Sequence, residues 1–301
     1  MIELTNECQL ACFTCPRDKK DAHDYEFGTM SVPDFKHIFS QFEEGLNTLD
    51  LTGLGESLMH PDIFEIIRWV RSRKDIHIYL TTNTILLNAE KRAALHRDPV
   101  DTLCISIDGT DQEEFSSIRG QLNYERLKRR VHETVEELRD EMDFILCVVL
   151  VGQNLRSMSR FVDLAAELGI SRLSLKPINL VANALPATYY DMFRGPEFDL
   201  RAEESIKRGA VLGVNVSVFK IGSYTCAFPW NPIYITWDGY YVPCCAKPFP
   251  KREHFGNLLA HQYDEVKNSS SAVRFRSELL SDRPPTFCNK CHIMEKTLYR
   301  E

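Results

Sequence analysis

Hydrophobic and polar positions along the 301-residue chain alternate between two periods for its first three quarters. Short apolar runs at residues 49–52, 76–81, 102–107, 144–150 and 173–175 read as buried strands. Between them the spacing lengthens to that of helices. Ile63, Ile66, Ile67 and Val70 fall at i, i+3, i+4 and i+7, as do Phe161, Leu164, Ala165 and Leu168. Ser31 ahead of Val32, Pro33 and Asp34 marks a helix start with proline in the first turn. Strands alternating with helices predict an α/β fold with a parallel sheet and right-handed crossovers. In such sheets the chemistry gathers at the carboxyl ends of the strands.

The alternation stops after about residue 222. Residues 233–236, then Asp238 and Gly239, then residues 240–242 read as a hairpin with a tight turn. A helical stretch at 272–280 follows, and Pro284 and Pro285 close it before Cys288 and Cys291. The pattern therefore predicts two units, residues 1–222 and a smaller one at 223–301.

Composition narrows the partners. The net charge is −7, and a phosphate backbone needs clustered positive charge, so a nucleic-acid partner is not expected. Arg126, Lys128, Arg129 and Arg130 form the densest basic run, but Glu133, Glu136 and Glu137 follow it, as on a solvated helix face. No run of eighteen apolar residues would span a membrane, and the start has neither a basic nor an apolar signal core. A cytoplasmic protein is expected.

Ten cysteines leave three readings: disulfides, metal ligands or core thiols. Disulfides need an oxidising compartment, which this start does not suggest. Cys8, Cys12 and Cys15 follow the first strand at spacings that favour metal. Three thiolates can hold three irons of a four-iron cube and leave the fourth iron open. A zinc site short of one ligand, or incidental thiols, are the alternatives. Cys226, Cys244, Cys288 and Cys291 form a second group. By ligand type alone they suit a fully ligated cube or a structural zinc site about equally. Cys245 is left over, either as an alternative ligand or as a free thiol. Cys104 and Cys147 lie inside strand patterns and read as inert core thiols.

Residues 2–17 closely resemble the opening of the radical S-adenosylmethionine superfamily, and four further segments agree in order. They are residues 52–56 (Thr-Gly-Leu-Gly-Glu), Thr82-Asn83, residues 106–109 (Ser-Ile-Asp-Gly) and Arg119. The resemblance implies a partial (β/α)6 barrel, TIM-like, closed by a small iron–sulfur module of hairpin and helix. It implies a catalytic [4Fe–4S] cluster on Cys8, Cys12 and Cys15. S-adenosylmethionine would lie against Gly53, Gly55, Glu56, Asn83, Ser106 and Arg119, the two glycines allowing a ligand to approach closely. In this family a reduced cluster cleaves the cofactor to a 5′-deoxyadenosyl radical that removes a substrate hydrogen. The second cysteine group resembles a SPASM module shortened to the twitch form, with Gly239 five residues before Cys244 and with Gly256-Asn257. That favours one auxiliary [4Fe–4S] cluster on Cys226, Cys244, Cys288 and Cys291. Size and cysteine spacing resemble aminoglycoside-acting members, namely neomycin C epimerase and 2-deoxy-scyllo-inosamine dehydrogenase. The implied substrate is a small polar sugar-like molecule, and the implied electron source is an external reductant such as flavodoxin or ferredoxin. Epimerisation with Cys245 as hydrogen donor is the leading expectation. Dehydrogenation and peptide modification are the alternatives.

Overall fold

The computed structural model describes residues 1–17, 26–42, 44–222 and 226–295. Six parallel strands form one sheet in sequential order: β1 (Thr48–Asp50), β2 (His77–Thr82), β3 (Thr102–Ser106), β4 (Asp143–Leu150), β5 (Arg172–Pro177) and β6 (Asn215–Val218). The helices between them are α1 (Val32–Ser40), α2 (Ile63–Arg73), α3 (Ala89–Arg97), α4 (Gln112–Arg119), α5 (Tyr124–Leu138), α6 (Met158–Glu167) and α7 (Pro196–Leu212). Sequential parallel order requires each crossover to pass over the same face of the sheet, which is how a TIM-like partial barrel grows.

Local chemistry sets the elements. Ser31 caps α1 by accepting from Asp34 N at 3.2 Å, with Pro33 in the first turn. On α5 the buried stripe Leu127, Val131, Val135 and Leu138 faces the sheet. Its outer charges pair across helices, Arg92 with Glu133 and Glu137, and Lys128 with Glu167. Within the basic run, Lys128 pairs with Glu125 and Glu167, Arg129 lies 3.9 Å from Glu133, and Arg130 donates to Ile85 O. Along the strands, Ile78, Leu80, Leu103, Ile105, Leu146, Val148, Leu173 and Leu175 are buried in one core with helix residues such as Ile66 and Phe161. Alternating with them, Thr81, Cys104, Ser106, Cys147 and Ser174 stand half-buried on the opposite face, which lines the lumen.

A second sheet contains the hairpin β7 (Tyr234–Ile235) and β8 (Tyr240–Val242), with β9 (Gly256–Asn257) antiparallel beside it. Two helices follow, α8 (Tyr263–Lys267) and α9 (Ser270–Leu280). The first residues of the chain join the two sheets. Ile2 N donates to Asp50 O at 2.9 Å on one side, and Glu3 N donates to Ile235 O at 2.9 Å on the other. Ile2 and Ile235 form a parallel bridge. The N-terminal segment thus lies against the β1 edge, which would otherwise expose unpaired backbone groups. The expected boundary at residue 222 abuts residues 223–225, which lie outside the described residues.

Candidate active site

The first cysteine group lies on a loop that leaves the joining segment beside the carboxyl ends of the strands. Phe13 N donates to Ile118 O at 2.8 Å, at the end of α4, and Cys15 N donates to Cys12 O at 3.1 Å. All three thiols are half-buried. The Cys8 sulfur accepts from Leu10 N at 3.5 Å and from Asn83 Nδ2 at 3.4 Å. Burial raises the Cys8 thiol, and it pushes Cys12 up to about 11, with Arg119 pulling Cys12 the other way.

The other expected residues gather around this loop, and most already hold one another. Asn83 follows β2; its N–H donates to Glu56 Oε2 at 2.7 Å, and its Oδ1 accepts from Gln9 Nε2 at 3.2 Å. Glu56 is 2% exposed and also accepts from Leu58 N at 3.3 Å, while burial raises its pKa. Arg119, at the end of α4, grips Asp108 Oδ2 through Nε at 2.8 Å and Nη2 at 2.7 Å. Asp108 Oδ1 accepts from Val149 N at 2.7 Å. The backbone carbonyl of Asp108 accepts from Asn154 Nδ2 at 2.9 Å. Asp108 was legible only as part of the Ser-Ile-Asp-Gly segment; its role as the anchor of Arg119 was not foreseen. Ser106 ends β3 on the lumen face, level with Cys147.

The two glycines lie close against the segment that leads into Cys8. A Cβ on Gly53 would lie 2.4 Å from Glu3 Cγ, and one on Gly55 would lie 2.4 Å from Thr5 O and 2.5 Å from Glu7 O. The loop is glycine-bearing because it lies on the segment leading into Cys8. Glu3, which sequence reasoning passed over, locks that contact. Its Oε1 accepts from Leu54 N at 2.7 Å and Tyr234 Oη at 2.9 Å, and its Oε2 accepts from Trp237 N at 3.3 Å. Burial raises this carboxyl to about 7.

The second cysteine group encloses a small cavity. Cys226, Cys244, Cys245, Cys288 and Cys291 line it together with Phe228, Phe275, Leu279 and Phe287. Burial pushes Cys245 and Cys288 up to about 12 and raises Cys226, Cys244 and Cys291 as well; neighbouring thiols add to the shift at all but Cys291. The pair Cys288 and Cys291 is pinned to the barrel. Lys290 Nζ donates to Asn183 O at 2.7 Å, Tyr190 Oη donates to Lys290 O at 2.7 Å, and His292 Nδ1 lies 3.0 Å from Pro177 O at the end of β5. Cys104 and Cys147 correct an expectation. They are not core thiols, because their strand positions face the lumen rather than the helices.

Both donor sets fit iron–sulfur clusters. The first offers three half-buried sulfurs in one loop, one of them already accepting two N–H hydrogen bonds of the kind that tunes cluster thiolates. The second offers sulfur donors within apolar walls. Among the described residues, no three His, Cys, Asp or Glu side chains are grouped to hold a single metal ion.

Comparison with known proteins places the chain. Residues 2–165 match the model of the Radical SAM superfamily, and residues 226–292 match that of an iron–sulfur cluster-binding domain, SPASM. A probable GTP 3′,8-cyclase of Methanococcus maripaludis strain C5 is 31% identical over 311 residues, 95% of each chain. Those of two other strains match over 138 residues only, 44% of their own length. Among solved structures, native anSMEcpe with bound S-adenosylmethionine has a TM-score of 0.72 at 16% identity, covering 99% of this chain and 93% of that one. Streptococcus suis SuiB bound to its precursor peptide SuiA has a TM-score of 0.71 at 16% identity, covering 92% of this chain and 66% of that one. Barrel, cysteine loop and matched models agree on the cofactors, a catalytic [4Fe–4S] cluster with S-adenosylmethionine and auxiliary iron–sulfur clustering in the second module. The chain belongs to the radical S-adenosylmethionine superfamily and carries a SPASM iron–sulfur domain.

Proposed function

We propose that Cys8, Cys12 and Cys15 hold the catalytic cluster, and that Cys226, Cys244, Cys288 and Cys291 hold one auxiliary cluster. In this reading residues 1–222 form the catalytic barrel and residues 223–301 the auxiliary module. Reduced and bound with S-adenosylmethionine, a cluster of this kind supplies the carbon radical that removes a substrate hydrogen. The chain's own residues hold and orient. Asn83 steadies the Cys8 sulfur, and Glu56 fixes Asn83 by its backbone. Asp108 aims Arg119 toward the cysteine loop. Gly53, Gly55, Asn83, Ser106 and Arg119 border the space where the cofactor would lie, and Glu56 acts through Asn83. The substrate would occupy the lumen, above Thr81, Cys147 and Ser174.

The reaction we favour is epimerisation at a carbinol-type carbon of a small sugar-like or aminoglycoside-like molecule, with an external flavodoxin or ferredoxin as electron source. The spare thiol carries this reading. Four cysteines suffice for a cube, and Cys245 shares their cavity as a fifth thiol. A thiol so placed can return a hydrogen atom to a substrate radical. Product analysis with candidate aminoglycosides in deuterated buffer tests it. One deuterium should enter a single product carbon, and Cys245→Ala should cleave S-adenosylmethionine without yielding the epimer. A carbonyl product, with Cys245→Ala active and full iron content, would mean dehydrogenation and would refute the donor role.

A second reading is ring closure on a nucleotide, favoured by the 31% identity to a probable GTP 3′,8-cyclase across 95% of both chains. Lys176, opposite Val149 at the end of β5, would bring a cation to the phosphates. Incubation with GTP in the same assay decides between them.

A further inference from the structure

Two cysteines outside both groups face the lumen. Cys104 stands on β3 and Cys147 on β4. The register pairs Cys104 with Ile145 and Ser106 with Cys147, so the thiols sit on adjacent strands along one diagonal. The flanking Leu103, Ile105, Leu146 and Val148 are no more than 2% exposed, whereas both cysteines are half-buried. Thr81, opposite Cys104 in the register, and Lys176, opposite Val149, stand on the same face of the sheet. An S–H bond is weaker than a C–H bond, so a thiol beside a carbon radical gives up its hydrogen atom. A serine hydroxyl, with its stronger O–H bond, does not.

We propose that Cys104 and Cys147 form a hydrogen-donating dithiol that quenches carbon radicals formed in the lumen when no substrate carbon is in place. The inference rests on the radical reading above. One thiol loses its hydrogen atom: S–H breaks, C–H forms at the radical carbon, and a thiyl radical remains. A second quenching at the partner thiol leaves a second thiyl, and the two couple. Two hydrogen atoms have then passed to two carbons, and one S–S bond has formed. An external dithiol restores the pair by exchange, giving two electrons and two protons and becoming a disulfide itself.

The reconstituted holoprotein serves for the tests. Phenylarsine oxide bridges two neighbouring thiols, and mass spectrometry should find one adduct joining the Cys104 and Cys147 peptides, absent from Cys104→Ser and Cys147→Ser. No bridging adduct would overturn the proposal. Turnover without substrate, in deuterated buffer with a flavodoxin reducing system, should release 5′-deoxyadenosine carrying one deuterium. The Cys104→Ser/Cys147→Ser double variant should lose that label. Undiminished label in the double variant, or label lost only in Cys245→Ser, would overturn the proposal. Should the double variant fail to fold, a Cys104–Cys147 disulfide mapped in the wild-type protein after such turnover supports it, and its absence overturns it. Failure to form any 5′-deoxyadenosine would instead refute the radical reading itself.

Discussion

Arg119 and Asp108 show how the site holds a charge in readiness. Both are buried, and Arg119 acts electrostatically on Cys12 and Cys15. Breaking a buried pair by removing one partner strands the other charge, at a cost of about 3–5 kcal/mol. Arg119→Ala should therefore lower unfolding stability by about that much, as chemical denaturation of the anaerobic protein would show. If Arg119 also meets the cofactor, its Kd for S-adenosylmethionine should rise roughly ten- to a hundredfold. Unchanged binding, measured where the variant is folded, removes Arg119 from the cofactor site. Glu56 has a different task. Its carboxylate is spent on Asn83 N and Leu58 N, so Glu56→Ala should act by releasing Asn83 from the Cys8 sulfur. Its binding defect should then be reproduced by Asn83→Ala; a defect in Glu56→Ala alone would point to direct contact with the cofactor.

The glycine-bearing loop, the joining segment and the hairpin meet at Glu3, and this junction titrates. Its folded pKa of about 7 stands above the usual value of 4.5, so between those pH values the native state holds a proton that the unfolded chain has lost. That contribution is complete below about pH 4.5 and is lost as pH rises through 7, a change of about 3 kcal/mol. Thermal unfolding of the holoprotein should thus show stability falling from pH 5 to 8. Glu3→Gln keeps an acceptor for Leu54 and Tyr234 and should flatten the slope; equal slopes would contradict the assignment. Gly55→Ala must push backbone away from Thr5 and Glu7, so reconstituted iron at the first cluster should drop. Much of this scaffold was legible. Strands β1 to β5, helices α1, α2, α6 and α9 and the hairpin all show their periods, because one face of each packs in the core. The strand β6 escaped notice because it is short and half-exposed, and β9 has only two residues. The cysteine groups were legible because ligand identity is written in residue type. Which face of β3 and β4 points at the lumen was not, because an apolar run reads alike whichever side it buries. Nor could sequence reveal that Gly53 lies against Glu3 and Gly55 against Thr5 and Glu7, contacts between segments about fifty residues apart.

Taken whole, the chain is a barrel sheet carried past its first strand into the hairpin of the second module. Ile2 and Ile235 join the sheets, and Trp237 reaches across to donate from Nε1 to Glu26 O at 3.2 Å. A Cβ on Gly28 would lie 2.3 Å from the Trp237 ring. No helix among the described residues is long and apolar enough to cross a membrane. Such a frame suits two clusters held by one continuous structure, each on its own cysteine set. The most direct test is iron content together with 5′-deoxyadenosine release, comparing wild type with Cys8→Ala/Cys12→Ala/Cys15→Ala after anaerobic reconstitution. Wild type should hold about eight irons in two cubes and release 5′-deoxyadenosine, and the variant should keep about four and release none. Full iron in the variant, or zinc in place of iron at Cys226, Cys244, Cys288 and Cys291, would contradict the account.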